Sequence, residues 1–357
     1  MKNSDLNNIR KRIDMLDSRI IEFLNQRMEL AIRARKFKQF IVDQKREQQI
    51  FSNIRKSSRS LLQPEFLEKL YRLVIDESKQ IQEQNLIIIG FQGEHGAYSE
   101  VASLLYDHSL IPVSCKEFTE IFDEVSSGKI NIGIVPVENS LEGAITQVND
   151  LLVQTDLKII GEVSIPVHHC LLALPETQYH DLKVVYSHPQ ALAQCHEFIS
   201  RHRLEPRPFY DTAGAAKMLS ENRPEAAGVI ANKLCAELYR LEIIKENIED
   251  HESNSTRFIV LSKEPSGEPG DKCSIIFSVK HEIGGLFSVL KMFSEKRINL
   301  TRIESRPIKN DPGNYVFFTD FEGSDKEDRV AGVLEEVQKL TTSFKFLGCY
   351  KSYKGAA

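Results

Sequence analysis

Several things are scarce in this sequence, and each absence removes a class of protein. No apolar run approaches the roughly 18 residues that a membrane-spanning helix requires. The N-terminal stretch MKNSDLNNIRKR carries neither an apolar signal core nor a cleavage site, so a cytoplasmic protein without membrane contact is expected. The six cysteines, Cys115, Cys170, Cys195, Cys235, Cys273 and Cys349, stand singly, with no C-x-x-C and no Cys/His cluster at metal-ligand spacing. They read as reduced, mostly buried thiols. The adjacent pair His168 and His169 would point to opposite faces of a strand, which argues against a shared metal ion. No metal and no cofactor is expected. Internal repeats and low-complexity tracts are also missing. What remains is ordinary globular composition, 41% hydrophobic and 27% charged, in 357 residues, enough for two or three domains.

The net charge of -5 is unevenly placed. Residues 1–84 hold 18 basic against 12 acidic side chains, a balance of +6, while the remainder holds 28 against 39, a balance of -11. A basic segment on an acidic chain asks for an anionic partner, with a solvated helix face as the plainer reading.

Residues 4–39 place Leu6, Ile9, Ile13, Leu16, Ile20, Phe23, Leu24, Leu30, Ala31, Ala34 and Phe37 at spacings of mostly three and four, without Pro or Gly: a long amphipathic helix. Shorter helices are expected over 44–55 and from Pro64 through Ile81. Helices so unequal cannot bury their faces in one compact monomer, and a helix of about 35 residues spans about 50 Å. Intertwining with a second copy solves that problem. After residue 84, short apolar strands such as LIIIGFQG alternate with helices over about 175 residues, which suits two α/β lobes around a cleft. KEPSGEPGD (263–271) reads as a linker. Beyond it the order βαββαβ is that of a small ferredoxin-like domain.

Eleven residues separate Arg27 from Lys38, which on a helix returns them to nearly the same face. Arg10 lies about 25 Å from Arg27 along the axis and must serve any shared site from a second chain. Ser78 and Gln82 form an i, i+4 pair, and Arg46-Glu47 follows Asp43 by one turn. Arg10, Arg27, Lys38, Asp43, Arg46, Glu47, Ser78 and Gln82 together resemble, in order and spacing, the active-site set of the all-helical, intertwined-dimer chorismate mutases. The resemblance implies that Arg27 and the second chain's Arg10 clamp one carboxylate, with Arg46 and Ser78 at the other end. Lys38 and Gln82 would donate to the ether oxygen of chorismate, and Glu47 would accept from its ring hydroxyl. A Claisen rearrangement needs that equipment and no nucleophile.

In the α/β segment, polar turns follow strands at GFQGEHGAYS (90–99), PVENSLEGAI (136–145), YSHPQALAQC (186–195) and DTAGAA (211–216). Taken singly, each is simple capping; YSHPQ and DTAGAA put a polar residue where an N-cap belongs. Completed by Asn254-Ser255-Thr256-Arg257-Phe258, the series resembles prephenate dehydratase over about residues 86–262, a two-lobed, periplasmic-binding-protein-like fold. The resemblance makes Thr256 the proton donor to the departing hydroxide; because a threonine is a poor acid, Glu138 or a water is expected to relay the proton, and Ser99, Glu138, Asn139, Ser140, Ser187 and Arg257 are the expected binding groups. In the last segment Gly284-Gly285-Leu286 and Glu304-Ser305-Arg306-Pro307 resemble the two phenylalanine-binding motifs of ACT regulatory domains.

The expected organisation is a mutase domain (1–84), a dehydratase domain (86–262; lobe one 86–163 with 244–262, lobe two 164–243) and an ACT domain (272–357). Chorismate and prephenate are the expected substrates, phenylalanine the effector, and a homodimer or tetramer the assembly. An arogenate-preferring dehydratase and a non-catalytic amino-acid-sensing binding protein are the alternatives. Nucleic acid is not an expected partner, because the cations interleave with Glu47, Ser78 and Gln82 and no aromatic platform appears.

Overall fold

A computed structural model describes residues 2–38, 40–57, 61–84, 86–308 and 314–353. Gln39, the expected end of the first helix, and the last four residues of the expected C-terminal domain lie outside these. The chain divides into two units, residues 1–87 and 88–357, each treated by itself.

The first unit is three helices: α1 (Lys2–Arg35), α2 (Gln44–Ser57) and α3 (Pro64–Glu83). Local chemistry sets their ends. Asp43 starts α2, its carboxylate accepting from the Arg46 N–H at 2.9 Å, and Pro64 occupies the first turn of α3, where no N–H is needed. At the far end of α1 the N–H groups of Lys36, Phe37 and Lys38 bond the carbonyls of Arg33, Ala34 and Arg35, a 3₁₀ exit that unwinds the helix. The helix therefore ends at Arg35, short of the expected 39. Its apolar stripe is largely uncovered in a single chain: Ile9, Leu16, Ile20, Phe23 and Leu30 are all more than half exposed.

The second unit begins with β1 (Ile88–Gln92), α4 (Tyr98–Tyr106), β2 (Ile111–Cys115), α5 (Phe118–Ser126), β3 (Ile132–Asn139), β4 (Gly143–Ala144), α6 (Thr146–Gln154) and β5 (Lys158–Pro166). The chain then crosses out to build β6 (Cys170–Ala173), β7 (Val184–Ser187), α7 (Pro189–Gln194), α8 (His196–Arg201), β8 (Glu205–Pro208), α9 (Thr212–Asn222), β9 (Ala227–Ala231), α10 (Lys233–Tyr239) and β10 (Glu242–Lys245). It returns as β11 (Ser255–Ser262). The first sheet runs β2-β1-β3-β11-β5, with β4 on β3; the second runs β10-β6-β9-β7-β8. β11 is inserted antiparallel between β3 and β5, and Phe258 to Leu261 are buried, so the apolar end of this strand anchors it at the centre of the first sheet. One apolar cluster joins Phe91, Val163 and Phe258 of the first lobe to Leu172, Ala216 and Val229 of the second.

The chain closes with β12 (Lys272–Ser278), α11 (Gly285–Glu295), β13 (Leu300–Pro307), β14 (Tyr315–Glu322), α12 (Asp328–Leu340) and β15 (Ser343–Tyr350). Their antiparallel sheet has the order β13-β14-β12-β15 and its own core of Ile275, Phe277, Phe293, Phe321 and Val333. It abuts the first lobe closely. At Gly348, with φ of +148°, a Cβ would lie 2.4 Å from the Ile159 carbonyl oxygen, so only glycine fits there. All six cysteines are free and five are buried. No helix among the described residues is long and apolar enough to cross a membrane.

Candidate functional site

In the helical unit Ser78 and Gln82 are buried on the same face of α3. The Gln82 amide donates to the Ser78 carbonyl at 2.8 Å and to its hydroxyl at 3.1 Å, while its Oε1 is buried with no hydrogen-bond partner. An orphaned buried acceptor beside an oriented amide marks a place built for something else to occupy. Arg27 reaches toward α3, its Nη1 donating to the Val74 carbonyl at 3.4 Å. Glu47 on α2 is held by Lys79 of α3 at 2.9 Å, and that contact raises the Lys79 pKa. Lys79 was not singled out in the sequence, because its partner is on another helix and nothing local announces the pair.

The other mutase candidates are placed as follows. Lys38 lies beyond the end of α1, so the argument from helical spacing to Arg27 fails; its carbonyl accepts from Arg35 at 2.8 Å. Asp43 serves as the cap of α2. Arg46 is exposed, with Nη1 3.4 Å from Gln49 Oε1, while Arg10 is exposed on α1.

In the first α/β lobe the polar cluster ahead of Phe258 is a knot of hydrogen bonds. Thr256 on β11 is directly opposite Asn139 on β3. The Asn139 amide N–H₂ donates to Thr256 Oγ1 at 2.9 Å, to Asn254 Oδ1 at 2.8 Å and to the Ser255 carbonyl at 3.2 Å. Asn139 Oδ1 accepts from the N–H groups of Leu141 and Glu142, locking the turn. Ser140 Oγ accepts from the Ser255 N–H at 2.9 Å and donates to the Ser253 carbonyl at 3.1 Å. With Thr256 Oγ1 accepting from Asn139, the threonine's own O–H is the proton it can offer a ligand. Asn254, 1% exposed, has a buried Nδ2 with no partner. Sequence alone assigns it no role; four consecutive polar residues before a buried strand are the available signal.

Other dehydratase candidates are placed elsewhere. Ser187 is fully buried and donates to the Ile230 carbonyl at 2.6 Å between β7 and β9. Ser99 is buried in the first turn of α4, its carbonyl accepting from Ser103. Glu138 adjoins Asn139 but pairs with Arg257, 3.6 Å away, not with Thr256. Arg257 itself binds Glu162 at 2.9 Å and Asp320 of the C-terminal sheet. Burial works against its charge, but Asp320, Tyr350 and Glu162 overcome that and raise its pKa; Asp320, also buried, is held below its usual range chiefly by Arg257. The expected caps are present: His188 Nδ1 accepts from the Gln190 N–H and Asp211 from the Gly214 N–H. Across the two lobes, Glu94 of the GEHG turn meets Lys217 at 3.2 Å and the Tyr210 hydroxyl at 3.1 Å.

In the C-terminal domain Gly284, at φ of +82°, opens α11. A Cβ on Gly285 would meet the Lys280 carbonyl at 3.0 Å, so glycine suits the close turn. Leu286 packs on the domain core. On β13, Arg302, Glu304 and Arg306 share one face by strand alternation, with Ser305 on the other. Arg306 donates to Thr146 Oγ1 at 3.1 Å and binds Asp150 at 3.2 Å, both on α6, while its Nε is buried with no partner.

The fold and these sites define a multidomain enzyme for small molecules: a helical unit of cations and amides, a two-lobed α/β unit with an oriented hydroxyl, and an attached regulatory domain. Family models agree segment by segment, with chorismate mutase type II matching residues 9–83, prephenate dehydratase residues 89–266 and the ACT domain residues 274–339. A bifunctional chorismate mutase/prephenate dehydratase of Aquifex aeolicus is 34% identical over 97% of this chain and 98% of its own. Among solved structures, the quorum-quenching acylase GqqA has 32% identity and a TM-score of 0.70 over 75% of this chain and 98% of that one. A prephenate dehydratase of Arthrobacter aurescens in complex with L-Phe has 29% identity and a TM-score of 0.68 over 74% of this chain and 90% of that one. The chain belongs to the bifunctional chorismate mutase/prephenate dehydratase family.

Proposed function

We propose the following division of labour for a chain that carries chorismate mutase and prephenate dehydratase activities and an ACT regulatory domain. In the helical unit, chorismate rearranges to prephenate with no covalent intermediate. Gln82 and Lys38 donate to the ether oxygen as it gains charge, Arg27 and Arg10 of a second chain hold the carboxylate, and Glu47 takes the ring hydroxyl proton as a hydrogen bond. A buried Gln82 amide with one polar atom unpartnered supports a ligand at this place, with the amide turned so that Nε2 meets the ether oxygen, and the uncovered apolar stripe of α1 supports a homodimer.

In the α/β unit, prephenate loses its ring carboxylate as CO2, the released electron pair completes the aromatic ring, and the C4 hydroxyl leaves as water after taking a proton. Phenylpyruvate is the product. Thr256 delivers that proton, and the observation that carries the assignment is the Asn139-to-Thr256 hydrogen bond, which leaves the threonine O–H as donor. Accepting from Asn139 also makes the hydroxyl a better donor. The Asn254 Nδ2 is suited to a substrate oxygen. Phenylalanine acts as inhibitor at the ACT domain, and the protein works in the cytoplasm.

The experiment is a coupled assay. Chorismate is supplied, prephenate and phenylpyruvate are followed separately, and phenylalanine is then added; arogenate is supplied in parallel. The reading expects both products in sequence and slowing of the second step alone. Product from arogenate but none from prephenate would reassign the substrate.

A further inference from the structure

Glu47, Phe51 and Arg55 stand one turn apart on α2 and meet, in turn, Lys79, Arg72 and Glu68 of α3, so the two helices run antiparallel along one seam. Two of these three contacts serve only to hold the helices together. The Arg72 guanidinium covers the Phe51 ring at 4.9 Å, and Arg55 binds Glu68 with its own side chain 63% exposed. Ile54 of α2 and Ile75 of α3 are buried as well, so the seam does not hang on any single pair.

The third contact differs in its surroundings. Lys79 Nζ lies 2.9 Å from Glu47 Oε1, and the two side chains are only 25% and 26% exposed. Glu47 Oε1 itself is buried, and among the described residues no hydrogen-bond donor reaches it apart from that ammonium. Asp76, the other carboxylate near Lys79, is 3.5 Å away and 65% exposed, so water screens that contact. The charge of Lys79 is therefore directed chiefly at Glu47.

Placement ties the pair to the site. Lys79 follows Ser78 and precedes Gln82 by three residues, about 100° from the first and about 60° from the second around α3. The pair thus flanks the face that carries the buried Ser78 hydroxyl and Gln82 amide, and Arg27 reaches the same face one turn earlier, at the Val74 carbonyl. A site that gathers cations around a dicarboxylate is weakened by a carboxylate of its own, because Glu47 repels the dianion it is meant to orient. Lys79 offsets that charge. By engaging Oε1 it also leaves Oε2 to accept from a ligand hydroxyl.

We infer that Lys79 is a positioning residue of the mutase: its ammonium fixes the Glu47 carboxylate toward the ring hydroxyl and offsets its charge, so that a site for a dianion can include an acidic group. The inference rests on the role proposed above for Glu47.

The test uses the full chain with chorismate as substrate. Lys79→Met is expected to lower mutase kcat/KM about 10- to 100-fold with helicity unchanged by circular dichroism. Lys79→Arg keeps the cation and is expected to recover most of that loss. Glu47→Gln is expected to be impaired on its own, and adding Lys79→Met to it to cost nothing further, because the ammonium then has no carboxylate to hold. Wild-type kcat/KM in Lys79→Met overturns the inference. So does an equal loss in Lys79→Arg, which would make the stem and not the charge the contributor, and so do losses that multiply in the double variant, which would make Lys79 a direct ligand of chorismate. Should Lys79→Met lose helicity, Lys79→Gln takes its place and the same outcomes decide. Glu47→Gln separates the inference from the reading beneath it: normal rearrangement in that variant removes Glu47 from the mechanism, whatever Lys79→Met does.

Discussion

A threonine hydroxyl is a weak acid, and what surrounds Thr256 is what could make it useful. Asn139 donates to its oxygen, Asn254 offers a second amide beside it, and Ser140 pins the approaching chain. Asn139→Ala is expected to lower dehydration by about 10²- to 10³-fold through loss of that orientation, with mutase turnover retained as the check. Gln82→Ala is expected to lower chorismate rearrangement by orders of magnitude with unchanged helicity by circular dichroism. A pH effect belongs at this scale too. His169 is buried at the crossing between the lobes, bonded to Tyr98 and Gln194, and burial depresses its pKa below the ordinary 6.5. The unfolded chain therefore takes up a proton that the folded one resists, and stability falls as pH drops below 6.5. His169→Gln is expected to flatten the decline in melting temperature over that window. Glu249, which binds His168 and the His169 N–H, acts lower: its pKa is depressed below 4.5, so its contribution is lost only in more acidic solution.

The apolar periodicity of α1, the Pro64 start of α3 and the βαββαβ order of the last segment were all legible in the sequence, because each rests on neighbours a few residues apart. Where α1 ends was not, since a 3₁₀ exit after Arg35 has no apolar signature. The partners of Arg257 were not legible either. Glu162 and Asp320 lie 95 and 63 residues away, and no local pattern distinguishes an arginine that binds substrate from one that binds another domain. The contact of Glu138 with Arg257 was hidden for a related reason: adjacent to Asn139 in sequence, it belongs to the opposite face of β3. The exposed stripe of α1 carries a sharper consequence. If Arg10 serves the site of a second chain that supplies its own Gln82, then Arg10→Ala and Gln82→Ala, each inactive alone, restore one intact site per mixed dimer. Refolding them together is expected to recover about a quarter of wild-type mutase turnover. No recovery would place Arg10 in its own chain's site or outside the mechanism.

At the scale of the whole chain, the regulatory sheet is built into the first lobe: Gly348 lets β15 approach the Ile159 carbonyl, Lys158 donates to the Phe346 carbonyl at 3.0 Å, and charged groups are buried between them. A joint of that kind resists separation, because breaking its paired charges leaves buried, uncompensated ones. The proposed division of labour puts two reactions in one chain and has Thr256 serve only the second. The direct measurement feeds chorismate to Thr256→Val and follows both products. Prephenate accumulating at the wild-type rate with phenylpyruvate nearly absent is the predicted result; phenylpyruvate formed at the wild-type rate would contradict it.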